Sequence, residues 1–428
     1  MRPFKFAITG AGSSYTPELI EGFAKKKDEL PVSEIALHDI DEKRMEIMAA
    51  FCRRYAKQLG LNVAITTSTE RSRALEGASF IDTQIRVGGN AARISDEKIP
   101  LSYGLVGQET TGAGGMMKAF RTIPVLLEVA KDVEKYAPDA WIVNYTNPTG
   151  LVSEAVNRYS KAKIAGFCSG GIFPKMWAKK ALGIDHERVH YDYLGLNHLN
   201  FISNIHIDGR LATEVEFVAI AKENDAIDLE LIKLLGCIPS PYLQWFYHTK
   251  ARIEKIVKAG RTRGEQVLEL EKEVFASYAN TGISTKPEAL AKRGGGGYSE
   301  IAMDFMAAIF QNRDTWMLIN VPNEGAVSFL PDNAVIETGC LVNASGIHPL
   351  RVTKVPPMVW GLIAEVKNYE QLAVEAAFEG NKNKALQALI AHPLVRDFAT
   401  ARTLLDEMLE ANRQFLPQFF NAKQSRNT

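Results

Sequence analysis

The chain has 428 residues, 46% of them hydrophobic and 23% charged, the balance of an ordinary globular protein with room for two cores. Its 50 basic side chains offset 50 acidic ones, so no global charge draws it to nucleic acid or an anionic membrane, and any anionic ligand must be gripped by local arginines. No apolar run reaches the ~18 residues of a membrane span. Met1-Arg2-Pro3-Phe4 lacks the apolar stretch of a signal peptide, and cysteines only at 52, 168, 237 and 340 are too sparse for a disulfide scaffold, so a cytoplasmic setting is expected.

An apolar strand is predicted over 4–9. Gly10-Ala11-Gly12 follows, and Thr16-Pro17 opens a helix, with Thr16 as N-cap and Pro17 in the first helical position. The N-terminal amides of that helix would face the turn formed by Gly10, Gly12, Ser13 and Ser14, where a pyrophosphate can sit. A second strand over 34–38 ends at Asp39, placed for hydrogen bonds to a ribose, and its charge favours NAD over NADP. Tyr15 stands where the dinucleotide fingerprint has its third glycine, so the turn carries weight only with its context. That context is further strands over 62–65, 80–85, 141–143 and 164–167, alternating with helices near 41–58, 116–136 and 148–160. The alternation predicts a doubly wound parallel sheet, a Rossmann-like domain over residues 1–167.

Residues 86–114 interrupt the pattern with Gly88, Gly89, Gly104, Gly107, Gly112 and Gly114, interleaved with Arg86, Arg93, Asp96, Glu97 and Glu109. A structureless loop this long is uncommon in a compact domain, and its apolar content argues against disorder. It is expected to form an active-site wall, in preference to a plain surface excursion.

Cys168 follows the strand at 164–167, on the sheet edge where open α/β folds bind ligands. His198 lies in Leu194-Gly195-Leu196-Asn197-His198. Each has a bland reading, as a small buried hydrophobe and as a satisfied core histidine. Together they are too few for a structural zinc site but suit a metal whose open positions take substrate oxygens. Residues 239–249 hold Tyr242, Trp245, Phe246 and Tyr247, which read more as core packing than as chemistry. Arg261, Arg263 and Arg293 would either be solvated or fork onto a phosphate from a cleft. Strands within 317–342, with turns at Pro322-Asn323-Glu324-Gly325 and Pro331-Asp332-Asn333, precede helices over 357–415 broken near Asn381 and Pro393. Residues 168–428 therefore read as a mixed α+β domain closing over the nucleotide crevice, with a polar tail over 421–428.

These motifs carry a resemblance. Gly10-Ala-Gly-Ser-Ser-Tyr-Thr-Pro-Glu-Leu19, Arg86-Val-Gly-Gly89, residues 99–115, Asn144-Tyr-Thr-Asn-Pro148, Gly195-Leu-Asn-His198 and Lys292-Arg-Gly-Gly295 resemble glycoside hydrolase family 4. These are NAD- and metal-dependent glycosidases, and the resemblance runs end to end and is strongest to the 6-phospho-β-glucosidase branch. It implies a Rossmann-like doubly wound sheet followed by a mixed α+β domain, in the lactate/malate dehydrogenase-type architecture. It implies NAD and a divalent metal, usually Mn²⁺, a phosphorylated disaccharide or glucoside as substrate, and a homodimer or homotetramer.

Carried onto this chain, the resemblance gives the metal to Cys168 and His198, and the sugar C2 proton to Tyr242, with Tyr247 as a neighbouring alternative. Glu109 joins the catalytic site. Arg93 and Arg263 grip the 6-phosphate, with Arg293 beside them, and Asn147 touches the sugar. The implied chemistry oxidises sugar C3 with NAD⁺, removes the acidified C2 proton, expels the aglycone from C1, adds water and returns the hydride. After the metal cysteine the β branch usually has Asn and the α branch Asp. Ser169 matches neither, which leaves a 6-phospho-α-glucosidase open. Two other classes share the nucleotide half: a 2-hydroxy-acid dehydrogenase, which would consume NAD stoichiometrically, and a non-catalytic NAD-binding protein.

Overall fold

A computed structural model describes residues 3–293, 298–352 and 355–421. The glycine run 294–297, and with it the end of the Lys292-Arg-Gly-Gly295 motif, lies outside the described residues, as does the tail beyond Asn421.

Six strands, β1 (Phe4–Thr9), β2 (Val32–His38), β3 (Ala64–Ser68), β4 (Ala78–Thr83), β5 (Trp141–Asn144) and β6 (Lys163–Gly166), pair in parallel in the order β3-β2-β1-β4-β5-β6. That is the order of a doubly wound nucleotide fold. Parallel strands are buried on both faces. On one face Phe6, Ile8, Ile35 and Leu37 pack against helices Thr16–Lys25, Glu42–Gln58 and Tyr298–Gln311. On the other, Ala7, Ala36, Ile81 and Ile142 pack against helix Gly112–Tyr136. Each fully buried Phe, Ile or Leu contributes on the order of 1.5–3 kcal/mol.

The sheet does not stop at β6. Strands β7 (Val189–Leu196), β8 (Leu199–Ile207), β9 (Arg210–Leu211), β10 (Ile238–Pro239), β11 (Thr315–Pro322), β12 (Val335–Asn343) and β13 (Gly346–Pro349) extend it in the order β6-β11-β12-β7-β8-β10. Pairing turns antiparallel at the single register pair Asn320–Gly166 between β11 and β6. The turns foreseen after Pro322 and at Pro331 fall between β11 and β12. The C-terminal helices Pro357–Glu379, Lys382–Ala391 and Phe398–Ala411 break near Asn381 and Pro393 as expected, with the Asn381 side chain capping the amides of Asn383 and Lys384.

Two local expectations are corrected. Residues 86–114 are not structureless, because helix Gly89–Ser102 occupies their middle and Gly112 opens the next helix. The buried face of Gly89–Ser102 carries Asn90, Arg93, Asp96 and Glu97, so no apolar stripe announces it in the sequence. Thr16 is also not a cap. Tyr15 takes the N-cap position but makes no capping hydrogen bond with its side chain, and Thr16 Oγ1 donates to the Ala11 carbonyl at 2.8 Å.

Candidate active site

The chain leaves β1 through Gly10, whose φ of 87° suits a residue without a Cβ. The Gly10 and Ala11 amides donate to the His38 carbonyl at 2.9 and 3.0 Å. A Cβ on Gly10 would stand 2.9 Å from the Gln84 carbonyl oxygen, and one on Gly12 would stand 2.9 Å from Asp39 Oδ2. The Gly12 amide donates to Asp39 Oδ2 at 2.8 Å, so the carboxylate closing β2 sits against the turn. Ser13 Oγ accepts from the Tyr15 amide at 3.3 Å, and Ser14 is fully buried.

Helix Arg263–Ala279 is clamped onto this turn. Tyr278 donates its hydroxyl to the Ser14 carbonyl at 2.9 Å. Arg44 donates to the Gly12 carbonyl at 2.6 Å and pairs with Glu271 at 2.9 Å, its guanidinium 3.7 Å above the Phe275 ring. Glu271 also accepts from Asn90 at 2.5 Å and faces Arg293 at 3.5 Å, and Arg293 lies 4.6 Å over the Tyr15 ring.

A second cluster surrounds Glu109. Its Oε2 takes Arg86 at 2.6 Å and Lys118 at 2.8 Å, and its Oε1 takes Arg93 at 3.0 Å. Burial works to raise this acid, but the charges of Arg86, Lys118 and Arg93 prevail and hold it well below the usual carboxylate range. Burial, reinforced by Arg86 and opposed by Glu109, pushes Lys118 down to about 7. Arg93 also donates to Glu97 at 2.8 Å, and Glu97 in turn accepts from the Gly264 amide at 2.7 Å. Beside Gly264, Arg263 donates to the Lys292 and Arg293 carbonyls at 2.9 Å each, and among the described residues it makes no ion pair.

Cys168 is buried just beyond β6, its sulfur accepting from the Gly170 amide at 3.4 Å. Burial, with Glu337 adding to it, pushes the thiol up to about 12. His198 sits in the two-residue turn joining β7 to β8, at a φ of 67°. Its ring stacks on Tyr242 with centroids 3.8 Å apart and planes 8° from parallel.

A chain of hydrogen bonds sets the tautomer of His198. Gln108 Oε1 accepts from both the Thr110 amide and, at 2.9 Å, the Thr110 hydroxyl. The hydroxyl has one proton to give, so at its 2.8 Å contact with His198 Nδ1 it accepts. The proton is on Nδ1, and Nε2 carries the lone pair. Burial, opposed by Glu109 and reinforced by Lys118, pushes this histidine down to about 3, so it is neutral. A neutral imidazole fixed by an outer hydrogen bond is the form a divalent metal takes. A buried thiol with a raised pKa loses its proton to such a cation. Among the described residues no three His, Cys, Asp or Glu side chains form a metal cage.

His198 is tied to Tyr242 and Thr110, and Glu109, the chain neighbour of Thr110, pairs with Arg93. Glu97 links Arg93 to the Gly264 amide beside Arg263, while Arg293 meets Glu271. Tyr247 is half-buried, its hydroxyl pushed up to about 12 by burial. Asn147 lies on the loop after β5, its Oδ1 accepting from the Thr149 amide at 3.4 Å. Sequence reasoning placed Glu97 in the expected active-site wall but missed Lys118, Thr110, Glu271 and Glu337. For Lys118 a signal exists, a charge inside the apolar run Met116-Met117-Lys118-Ala119-Phe120. The others look like ordinary surface polar residues.

A doubly wound nucleotide fold with a glycine turn after β1, together with buried Cys168 and His198, defines a dinucleotide-fold enzyme. The chain belongs to glycosyl hydrolase family 4. The description "Family 4 glycosyl hydrolase" matches residues 5–184, and "Family 4 glycosyl hydrolase C-terminal domain" matches residues 193–395. A Bacillus subtilis (strain 168) protein named "Probable 6-phospho-beta-glucosidase" is 40% identical, across 97% of this chain and 98% of its own. The 6-phospho-beta-glucosidase of Escherichia coli (strain K12) is 37% identical, across 97% and 96%. The solved 6-phospho-beta glucosidase of Thermotoga maritima with manganese, NAD⁺ and glucose-6-phosphate superposes with a TM-score of 0.89 at 34% identity, across 96% of this chain and 99% of that one. Malate dehydrogenase of Plasmodium falciparum, at 15% identity and a TM-score of 0.54 over 88% of this chain and 98% of its own, shares the fold alone.

Proposed function

We propose that this protein hydrolyses 6-phosphoglycosides as a 6-phospho-β-glucosidase that uses NAD and a divalent metal, Mn²⁺ foremost. The observation that carries the reading is the neutral His198, its Nε2 lone pair set by Thr110 and its ring held against Tyr242, beside a buried cluster of arginines. When bound, the nicotinamide would accept and return a hydride at the sugar, and the metal would act as a Lewis acid on the oxidised sugar.

The residues divide this work. Gly10, Gly12, Ser13 and Ser14 cradle the pyrophosphate, and Asp39 accepts from the ribose. Cys168 and His198 hold the metal. Arg93, Arg263 and Arg293 take the 6-phosphate, and of these Arg263, which has no carboxylate partner among the described residues, has the most charge to offer. Asn147 contacts the sugar. Tyr242 takes the C2 proton, its ring fixed by the stack on His198. Glu109 stays ionised among three cations, so it orients Arg93 and Lys118 and gives no proton. As C2 loses its proton the C1–O bond breaks and the aglycone leaves; water then adds at C1 and the proton returns to C2, so the net reaction is hydrolysis. Ser169 is too weak an acid to drive departure of the aglycone.

Four free, buried cysteines support a cytoplasmic setting. A homodimer or homotetramer is the expected assembly, and helix Thr249–Ala259, none of whose side chains is fully buried within one chain, supports a second copy beside it.

The test is an assay of α- and β-linked glucoside 6-phosphates and their unphosphorylated forms, with and without NAD⁺ and Mn²⁺. The reading expects release of product from the β-linked phosphorylated substrate only, dependent on both additives and without net NADH. Preference for the α linkage would correct the anomer. Stoichiometric NADH from a 2-hydroxy acid, with no hydrolysis, would overturn the reading.

A further inference from the structure

Glu337 stands in the middle of β12, in a sheet whose interior is otherwise mostly apolar, and it is 1% exposed. The register places it in a row that runs across five strands: Gly166 of β6, Asn320 of β11, Glu337, Gly195 of β7 and Asn200 of β8. Cys168 follows one member of that row, Gly166, and His198 follows another, Gly195. The row therefore passes beneath the two strand ends that carry the donor pair.

Its side chains tie those ends together. Asn200 donates to Glu337 Oε2 at 2.6 Å and to the Leu196 carbonyl, at the mouth of the His198 turn, at 3.1 Å. Asn320 donates to the Gly166 carbonyl at 3.1 Å. Asn200 and Asn320 are as buried as Glu337. A buried carboxyl is costly and persists where it is hydrogen-bonded to a purpose. Here the neighbours it serves are the hairpin holding His198 and the strand end holding Cys168.

We propose that Glu337 is a positioning residue for the metal pair: through Asn200 it holds the His198 turn in register with the strand end that presents Cys168. The role is an acceptor's, so an uncharged acceptor of the same shape replaces it. Outer-shell partners of metal ligands contribute about 10–100-fold to metal affinity. The proposal rests on the reading of Cys168 and His198 as metal donors.

The experiment titrates Mn²⁺ into the full-length, NAD-saturated protein by calorimetry, with NAD affinity and thermal midpoint measured in parallel. Glu337→Met keeps the bulk and removes the acceptor. It should weaken Mn²⁺ binding at least tenfold with NAD affinity within about twofold, and Glu337→Gln should restore most of the loss. Asn200→Ala removes the donor side and should reproduce the Met variant, which covers the case where Glu337→Met does not fold. Wild-type Mn²⁺ affinity in a folded Met or Asn200→Ala variant would overturn the proposal. So would equal losses in the Gln and Met variants, or parallel losses of Mn²⁺ and NAD affinity. Cys168→Ala separates the two readings: if it leaves Mn²⁺ binding intact, the metal pair itself is misassigned, whereas if it abolishes binding while Glu337→Met does not, only the role of Glu337 falls.

Discussion

At the scale of single residues, Tyr242 and His198 are where the proposed chemistry is tested. Tyr242→Phe keeps the ring stacked on His198 and removes only the hydroxyl. Turnover should fall by roughly 10²–10⁴-fold, with Mn²⁺ and NAD affinities nearly unchanged. Solvent deuterium should enter at C2 during wild-type turnover in D₂O, and the Phe variant should lose that exchange. Persistent exchange would transfer the role to Tyr247 or water. His198 also predicts a pH dependence of stability. Its folded pKa, about 3, lies below the ordinary 6.5, so the unfolded chain binds the extra proton first. The stabilisation from keeping it neutral is present above about 6.5 and is lost as pH falls towards 3. The thermal midpoint of the metal-free protein should drop across that window, and His198→Asn should flatten the drop. His392, equally buried and also pushed down to about 3, adds to the same slope, so some slope remains in the variant.

Two helices give the site its shape at the scale of elements. Helix Gly89–Ser102 brings Arg93 and Glu97 inward, and helix Arg263–Ala279 leans on the nucleotide turn through Glu271 and Tyr278. Glu271→Ala would release Arg44, Asn90 and Arg293 together. A lost charge-assisted contact of about 1.5–3 kcal/mol corresponds to at least a tenfold loss of NAD affinity, measurable by fluorescence titration. A variant binding NAD as tightly as wild type would show that the clamp is incidental to the cofactor. The nucleotide strands were legible beforehand, because parallel strands buried on both faces leave short apolar runs between turn residues. Helix Gly89–Ser102 was hidden because its inward face is ionic. Its glycines, Gly88 and Gly89, read as loop but serve as the left-handed entry to a helix.

One sheet carries the whole molecule, and its change from parallel to antiparallel at Gly166 and Asn320 sets Cys168 near the strands that hold His198. Ligand linkage should therefore be visible globally. Mn²⁺ at about 100 times its dissociation constant should stabilise the NAD-bound protein by about 2.7 kcal/mol, seen as a higher thermal midpoint, and Cys168→Ala should abolish that shift. An equal shift in the variant would place the metal elsewhere. The sequence by itself determined the six strands of the nucleotide half, the glycine turn with Asp39 and the candidate donors Cys168 and His198, because these depend on local pattern and on motifs contiguous in the chain. Only the tertiary structure decided that Thr110 sets the His198 tautomer, that three cations keep Glu109 ionised and that Glu337 lies in the row beneath the donor pair. Those contacts join residues from 9 to 137 positions apart, and burial, which no local pattern encodes, sets their protonation states.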